Sequence, residues 1–343
     1  MLRFLQVLIL YVMLLPIKGS CEEPAEAAAS AKRICILTSC WGPMFAIDNP
    51  SYNRDNCLQV YYDLRQEAAK QGYHIEQLFS LNEIGKCDLL VVFDVFPEHF
   101  AQLSKVPKEK RILFLWEPPS TVPHNNNLEY HGYFSKIYTW DDSLVDNKNY
   151  FKFYYPVLRQ MDGSTDFAVK KFSSMIACNK TSSHPFELYS ERLKVIQYFE
   201  GNAEGLFDLY GKWWPDWFRN YRGPVATKYD VLKNYKFSFA YENIRDIPGY
   251  ITEKIFDCFH AGTVPIYWGA SNVEAYIPKN CFIDREDFPT HSELVKYLLA
   301  MDEPQYQQYL QHIRDFLESD AAKLYSSEKF IQTFMDMVKS ECK

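Results

Sequence analysis

One stretch, Tyr235 to Gly269 (YKFSFAYENIRDIPGYITEKIFDCFHAGTVPIYWG), constrains the fold more than any other. It reads as an apolar strand, a polar loop, a short helix and a second apolar strand. Pro248 and Gly249 break the chain before the helix, and Gly262 ends it. Strands that are apolar on both faces belong to a parallel sheet covered by helices. In such a sheet, ligands sit at the carboxyl ends of strands and the amino ends of helices. The polar residues of this stretch gather at that point.

Tyr250, Glu253, Lys254 and Asp257 fall at i, i+3, i+4 and i+7, which predicts a single helical face. Ile251, Ile255, Phe256 and Phe259 fall opposite, ready to pack on a sheet. The free N–H groups of a first turn and the Lys254 ammonium suit a diphosphate. Glu253 suits vicinal sugar hydroxyls, because a carboxylate accepts from two O–H groups at once. Asn243, at the end of the preceding strand, adds donor and acceptor contacts. The same spacing also describes a plain surface ion pair.

Three blocks resemble the signature of the α1,3-fucosyltransferase family, glycosyltransferase family 10. They are Phe239-Ala240-Tyr241-Glu242-Asn243, Gly249-Tyr250-Ile251-Thr252-Glu253-Lys254, and Gly262-Thr263-Val264-Pro265-Ile266-Tyr267-Trp268-Gly269. The resemblance covers roughly residues 110–290 and is sharp at 235–269. It implies an α/β protein of GT-B type: two Rossmann-like domains whose parallel sheets face a central cleft. It also implies an enzyme that uses GDP-fucose. Asn243, Tyr250, Glu253 and Lys254 stand at positions that hold the nucleotide sugar in such a family, and Asn179, Tyr241, Glu242 and Arg192 are assigned to the donor side with them. Tyr241 departs from the Phe of many members but keeps the ring.

The 343 residues suit two domains, predicted over 33–160 (acceptor side) and 165–305 (donor side), with helices over 306–343. Hydrophobic residues make up 47% and charged residues 24%, so the chain is globular. The net charge of −7 and the lack of a basic stripe argue against a nucleic-acid partner. A negatively charged donor must therefore be held by local cations rather than by the overall field.

Residues 1–21 read as a signal peptide or signal anchor. Arg3 precedes an apolar run from Phe4 to Ile17, short of the about 20 residues of a membrane span. An Ala/Glu-rich spacer fills 22–32. Membrane association is expected through this segment alone, and localisation in the secretory or export pathway: a Golgi membrane or lumen, or a bacterial cell envelope. The nine cysteines show no C-x-x-C pair and no zinc spacing. Cys35, Cys178 and Cys258 lie in apolar runs and read as buried thiols, while export would let a few others pair. The sequon Asn179-Lys180-Thr181 lies at a strand end near the proposed site, which argues that it is not used.

Strands are predicted over 33–38, 88–95, 111–116, 136–140, 174–178, 206–210, 236–241, 263–268 and 281–283. Helices are predicted over 57–71, 186–200, 292–300, 304–317 and 328–339. No G-x-G-x-x-G follows the first strand.

Inverting glycosyl transfer needs a base across the cleft from the donor. Glu117 fits: it follows an apolar strand and precedes Pro118-Pro119, a rigid non-helical mount. Trp116 beside it lowers local polarity and raises the carboxyl pKa. Trp116-Glu117-Pro118-Pro119-Ser120 also resembles the family block that carries the proposed base. Asp94 is the fallback, with Glu129 and Asp141 behind it; a loop-capping carboxylate is the plain alternative for Glu117. The chain has no D-x-D metal motif, and His124, His131 and His184 lack ligand spacing. No metal or other cofactor is therefore expected, and Lys254 neutralises the departing diphosphate. The resemblance implies a further arginine after the first strand of the donor domain, where His184 or Phe186 stands here. Lys180, Lys212 and Arg192 are the substitutes, although Arg192 also reads as a surface residue. Trp213, Trp214 and Trp217 could stack on guanine or on an acceptor sugar, or anchor a loop. The acceptor implied by the family is a glycan with a free O3 on N-acetylglucosamine.

Overall fold

A computed structural model describes residues 31–38, 42–203 and 205–342. The signal or anchor segment, most of the spacer, Cys21 and Cys40 lie outside the described residues. No helix among those described is long and apolar enough to cross a membrane.

Two parallel sheets carry the architecture. The first contains β1 (Lys32–Thr38), β2 (Tyr73–Leu78), β3 (Leu89–Phe93), β4 (Arg111–Leu115), β5 (Lys136–Thr139) and β6 (Tyr150–Lys152), in the order β2-β1-β3-β4-β5-β6. The second contains β7 (Lys171–Ile176), β8 (Phe207–Tyr210), β9 (Tyr235–Tyr241), β10 (Val264–Trp268) and β11 (Ile283–Asp284), in the order β11-β10-β9-β7-β8. Every pairing is parallel. This is the expected α/β architecture of two parallel sheets.

The interior strands β3 and β10 are buried almost throughout because both faces are covered, which is why they read as unbroken apolar runs. Two edge elements were not foreseen. β2 (YHIEQL) alternates polar and apolar residues, and β6 is only three residues long. The strand expected over 281–283 is shorter and later, since Lys279–Cys281 forms a 3₁₀ turn before β11.

Cys35 is not a thiol. It sits on β1 and forms a disulfide with Cys87, which enters β3 from the neighbouring position in the sheet. Cys258 is a buried free cysteine and Cys178 a partly buried one.

The last helix, Ser327–Glu341, does not stay with the second sheet. Its Phe330, Phe334, Met335, Met337 and Val338 are buried in the core of the first, against Ile34, Phe93 and Phe114. Phe334 stacks on Phe114 with ring centroids 5.7 Å apart. From the loop after β9, Ile244 and Tyr250 also join that core. The two halves therefore share side chains.

Candidate functional site

In each sheet the strand order reverses between the first strand and its later neighbour, β1 to β3 and β7 to β9. Clefts form outside the carboxyl ends of strands at such switch points. A cavity of about 250 Å³ lies there in the second half, lined by the ends of β7 and β9 and by the helix Glu253–His260. A wider cleft of about 550 Å³ adjoins it, shared with the first half. Asn243, Glu253, Lys254, Asp257, Lys228, Lys212 and Arg54 line both.

The helix starts at Glu253, later than the spacing implied. Thr252 is its extended N-cap, and Tyr250 lies outside it. So Tyr250 does not share a helical face with Glu253, Lys254 and Asp257. It is buried, with its ring 4.6 Å from that of Trp140, and it lines the wider cleft. Gly249 makes this approach possible. Its φ is +86°, and a Cβ there would fall 2.3 Å from the Trp140 carbonyl oxygen.

Glu242 does not line either cavity. Its fully buried carboxylate accepts from the Thr252 N–H at 2.8 Å and the Thr252 hydroxyl at 2.7 Å, and pairs with Lys254 Nζ at 3.0 Å. One of the helix's first N–H groups is thus already taken. Glu242 fixes the helix start and the position of Lys254. Burial disfavours the Lys254 charge, but Glu242 and Glu253 more than restore it, so its pKa is raised. For Glu253, burial is outweighed by Lys254 and Lys228, which hold its carboxyl well below the usual carboxylate range. Its cationic neighbours stand 3.5 and 3.6 Å away, which leaves oxygen lone pairs for hydroxyl donors.

Arg192 is not a surface residue. It is buried, and its guanidinium donates to the carbonyls of Tyr241 and Glu242 at 2.7 Å and to Asn243 Oδ1 at 3.0 Å. It satisfies the carboxyl end of β9 and orients Asn243 while lining the smaller cavity. Tyr241 also lines that cavity. Asn179 is exposed and turns its amide to the Trp213 carbonyl at 3.2 Å; its neighbours Cys178 and Lys180 line the cavity instead. The tryptophans separate. Trp214 is buried and donates to the Ala177 carbonyl at 2.7 Å, anchoring the loop, while Trp213 and Trp217 are exposed.

Six cationic side chains line the smaller cavity, against the two carboxylates Glu253 and Asp257. In a chain of net charge −7 this is a local positive site. Sequence reasoning missed Lys228, whose ammonium is 2.6 Å from Asp257, and Arg54; no motif marks either. Among the described residues no group of three His, Cys, Asp or Glu could hold a metal ion.

Glu117 lines the wider cleft, across from Glu253 and Lys254. Burial pushes its carboxyl up, against the nearby Lys254 charge. The fallback Asp94 faces neither cavity. It lies buried beneath Glu117 in a left-handed backbone conformation, φ 67°. Its Oδ1 accepts from Trp116 N at 2.7 Å, Glu117 N at 2.8 Å and Asn125 Nδ2 at 2.7 Å. Asn125 also donates to the Glu117 carbonyl at 2.8 Å, and buried His131 bonds the Asn125 carbonyl and the Tyr150 hydroxyl. Asp94 is therefore the brace of Glu117. Asp141 turns its carboxylate to Ser143, and Glu129 is exposed.

Such a paired cleft, with a braced carboxylate facing a cationic pocket, defines a GT-B glycosyltransferase class of site. Residues 171–339, just under half of the chain, match the profile described as Glycosyltransferase family 10 (fucosyltransferase) C-term. Over 238 residues it is 25% identical to the Pan troglodytes 3-galactosyl-N-acetylglucosaminide 4-alpha-L-fucosyltransferase FUT3, covering 67% of this chain and 59% of that protein. It is 36% identical over 74 residues to the Helicobacter pylori alpha-(1,3)-fucosyltransferase FucT, which is 22% of this chain and 15% of that one. The chain thus spans less than two thirds of these relatives. A crystal structure of an α1,3-fucosyltransferase with GDP-fucose shares the fold, with a TM-score of 0.56 and 18% identity over 94% of this chain and 93% of the other.

Proposed function

We propose that this chain transfers L-fucose from GDP-fucose to a glycan hydroxyl with inversion at the anomeric carbon, and that the hydroxyl is O3 of an N-acetylglucosamine unit. The observation that carries this reading is the pairing of Glu117 with a cationic pocket across one cleft. The N-acetylglucosaminide in the printed name of the FUT3 relative supports the acceptor class.

In this reaction the Glu117 carboxylate takes the acceptor proton. The acceptor oxygen bonds to the fucose anomeric carbon as the bond from that carbon to the diphosphate oxygen breaks. The electron pair leaves with GDP, whose charge Lys254 and the surrounding cations neutralise without a metal. Glu253 accepts from hydroxyls of the donor, and Asn243 orients it. The Cys35–Cys87 disulfide supports folding in an oxidising compartment of the secretory or export pathway.

The test is GDP release from GDP-fucose with N-acetyllactosamine as acceptor and EDTA present, on the parent and on Glu117→Gln. Turnover lost in the variant with GDP binding kept is the expected result. Tight GDP binding without turnover in the parent refutes the acceptor or makes the protein a binder. Loss of activity with EDTA refutes the metal-free mechanism, and displacement of the donor by UDP rather than GDP refutes the guanosine donor.

A further inference from the structure

We propose that Arg54 binds the diphosphate of the nucleotide sugar, reaching the donor from the acceptor-side half of the protein. This rests on the donor reading above. Among the described residues, Arg54 is the only residue before β7 that lines the smaller cavity, and it lines the wider cleft too. Its side chain therefore stands where the two meet.

The backbone beside it is held in a costly shape. Asp55 and Asn56 both have left-handed φ values, 56° and 57°. Non-glycine residues persist there only where their surroundings over-determine them, and such places cluster at ligand clamps. Here the surroundings are explicit. Asp55 Oδ1 accepts from the Lys228 N–H of the second half at 2.7 Å, and the Asp55 carbonyl accepts from Arg159. The turn that presents Arg54 is thus docked against the donor half.

The charge of Arg54 is also less committed than those of Lys254 and Lys228. Lys254 is paired with buried Glu242, and Lys228 with Asp257. Arg54 contacts Asp55 at 3.1 Å through Nε, with 42% of its side chain exposed. That contact uses Nε alone, which leaves the exposed end of the guanidinium open to another partner. Its terminal nitrogens keep the fork that matches two phosphate oxygens.

The experiment is calorimetric titration of the full chain and of Arg54→Ala and Arg54→Lys with GDP, guanosine and UDP. Hydrogen bonds to charged groups contribute about 1.5–3 kcal/mol. Arg54→Ala should therefore weaken GDP binding about tenfold to a hundredfold and leave guanosine binding unchanged, with Arg54→Lys in between. GDP affinity equal to the parent's in Arg54→Ala overturns the inference, as does an equal loss for guanosine, which would mark a structural role. A parent that binds UDP instead, with the same Arg54 dependence, keeps the inference and replaces the guanosine donor. A parent that binds neither nucleotide overturns both.

Discussion

Replacing Asp94 with alanine removes an oxygen on which three donors converge. The Trp116 and Glu117 amides and the Asn125 side chain all point at Oδ1. A buried donor left without a partner costs about 1–3 kcal/mol, so the two orphaned amides alone should lower stability by about 2–6 kcal/mol. The amides belong to the segment that carries the proposed base, and a shift of about 1 Å near the reacting atoms can cost about a hundredfold in rate. We expect Asp94→Ala to lose stability by that amount in guanidinium unfolding and to lose about a hundredfold in single-turnover rate. GDP affinity by calorimetry should stay at the parent value, because Asp94 lines neither cavity. Asp94→Asn keeps an acceptor in place and should retain most of the rate. It should differ in one respect. Burial and the neighbouring Glu117 charge push the Asp94 carboxyl up to about 7. The folded protein then holds this proton where the unfolded chain, with a carboxyl near pKa 3.9, has released it. Stability from this group is full below the unfolded value and is lost as pH rises through about 7. The asparagine variant should lack that slope. An Asp94→Ala protein with parent stability and parent rate would refute the bracing role. An Asp94→Asn protein as inactive as Glu117→Gln would make Asp94 part of the chemistry.

Three further outcomes are expected. Turnover should fall as pH drops through the raised pKa of Glu117, at a pH above that of an ordinary carboxylate, and a rate profile measured between pH 4 and 8 checks this. Lys254→Met should abolish GDP binding and also strand the buried Glu242 charge, at a cost of about 3–5 kcal/mol; adding Glu242→Gln should restore the unfolding free energy but not the GDP binding. Replacing Cys35 and Cys87 with serine opens a loop with a sequence separation of 52 residues, and chain entropy puts the loss at about 4 kcal/mol by denaturant titration.

The legible parts of the chain were those whose pattern is local. The strands β3, β9 and β10 announce themselves as apolar runs, and the motif from Tyr235 to Gly269 carries the donor side. What could not be read depends on contacts between distant segments. Cys35 looks like a core thiol until β1 and β3 are known to be neighbours, which brings Cys87 beside it. Arg192 reads as one more charge on a helix, yet its partners are carbonyls at the end of a strand about fifty residues later. Tyr250 fits the helical spacing, but the turn after Gly249 and the N-cap Thr252 keep it outside the helix, where the first half's core claims it. Asp94 was weighed as a base because it ends a strand beside Glu117. Only its left-handed backbone turns the carboxylate under the loop instead of into the cleft.

The return of the helix Ser327–Glu341 to the first sheet bears on how the protein is made. A ribosome releases β1 to β6 first, yet one of the two cores of their sheet lacks Phe330, Phe334 and Met337 until the second half has followed. The first half presents an unfinished apolar surface while the second half is synthesised. That core is completed only by the helix Ser327–Glu341, after the second half has been made. A nascent chain with such an open core exposes hydrophobic surface while the second half is made, the condition under which a protein depends on chaperones. A stop codon shortly before Ser327 would spare every proposed donor ligand and leave one of the first sheet's two cores open.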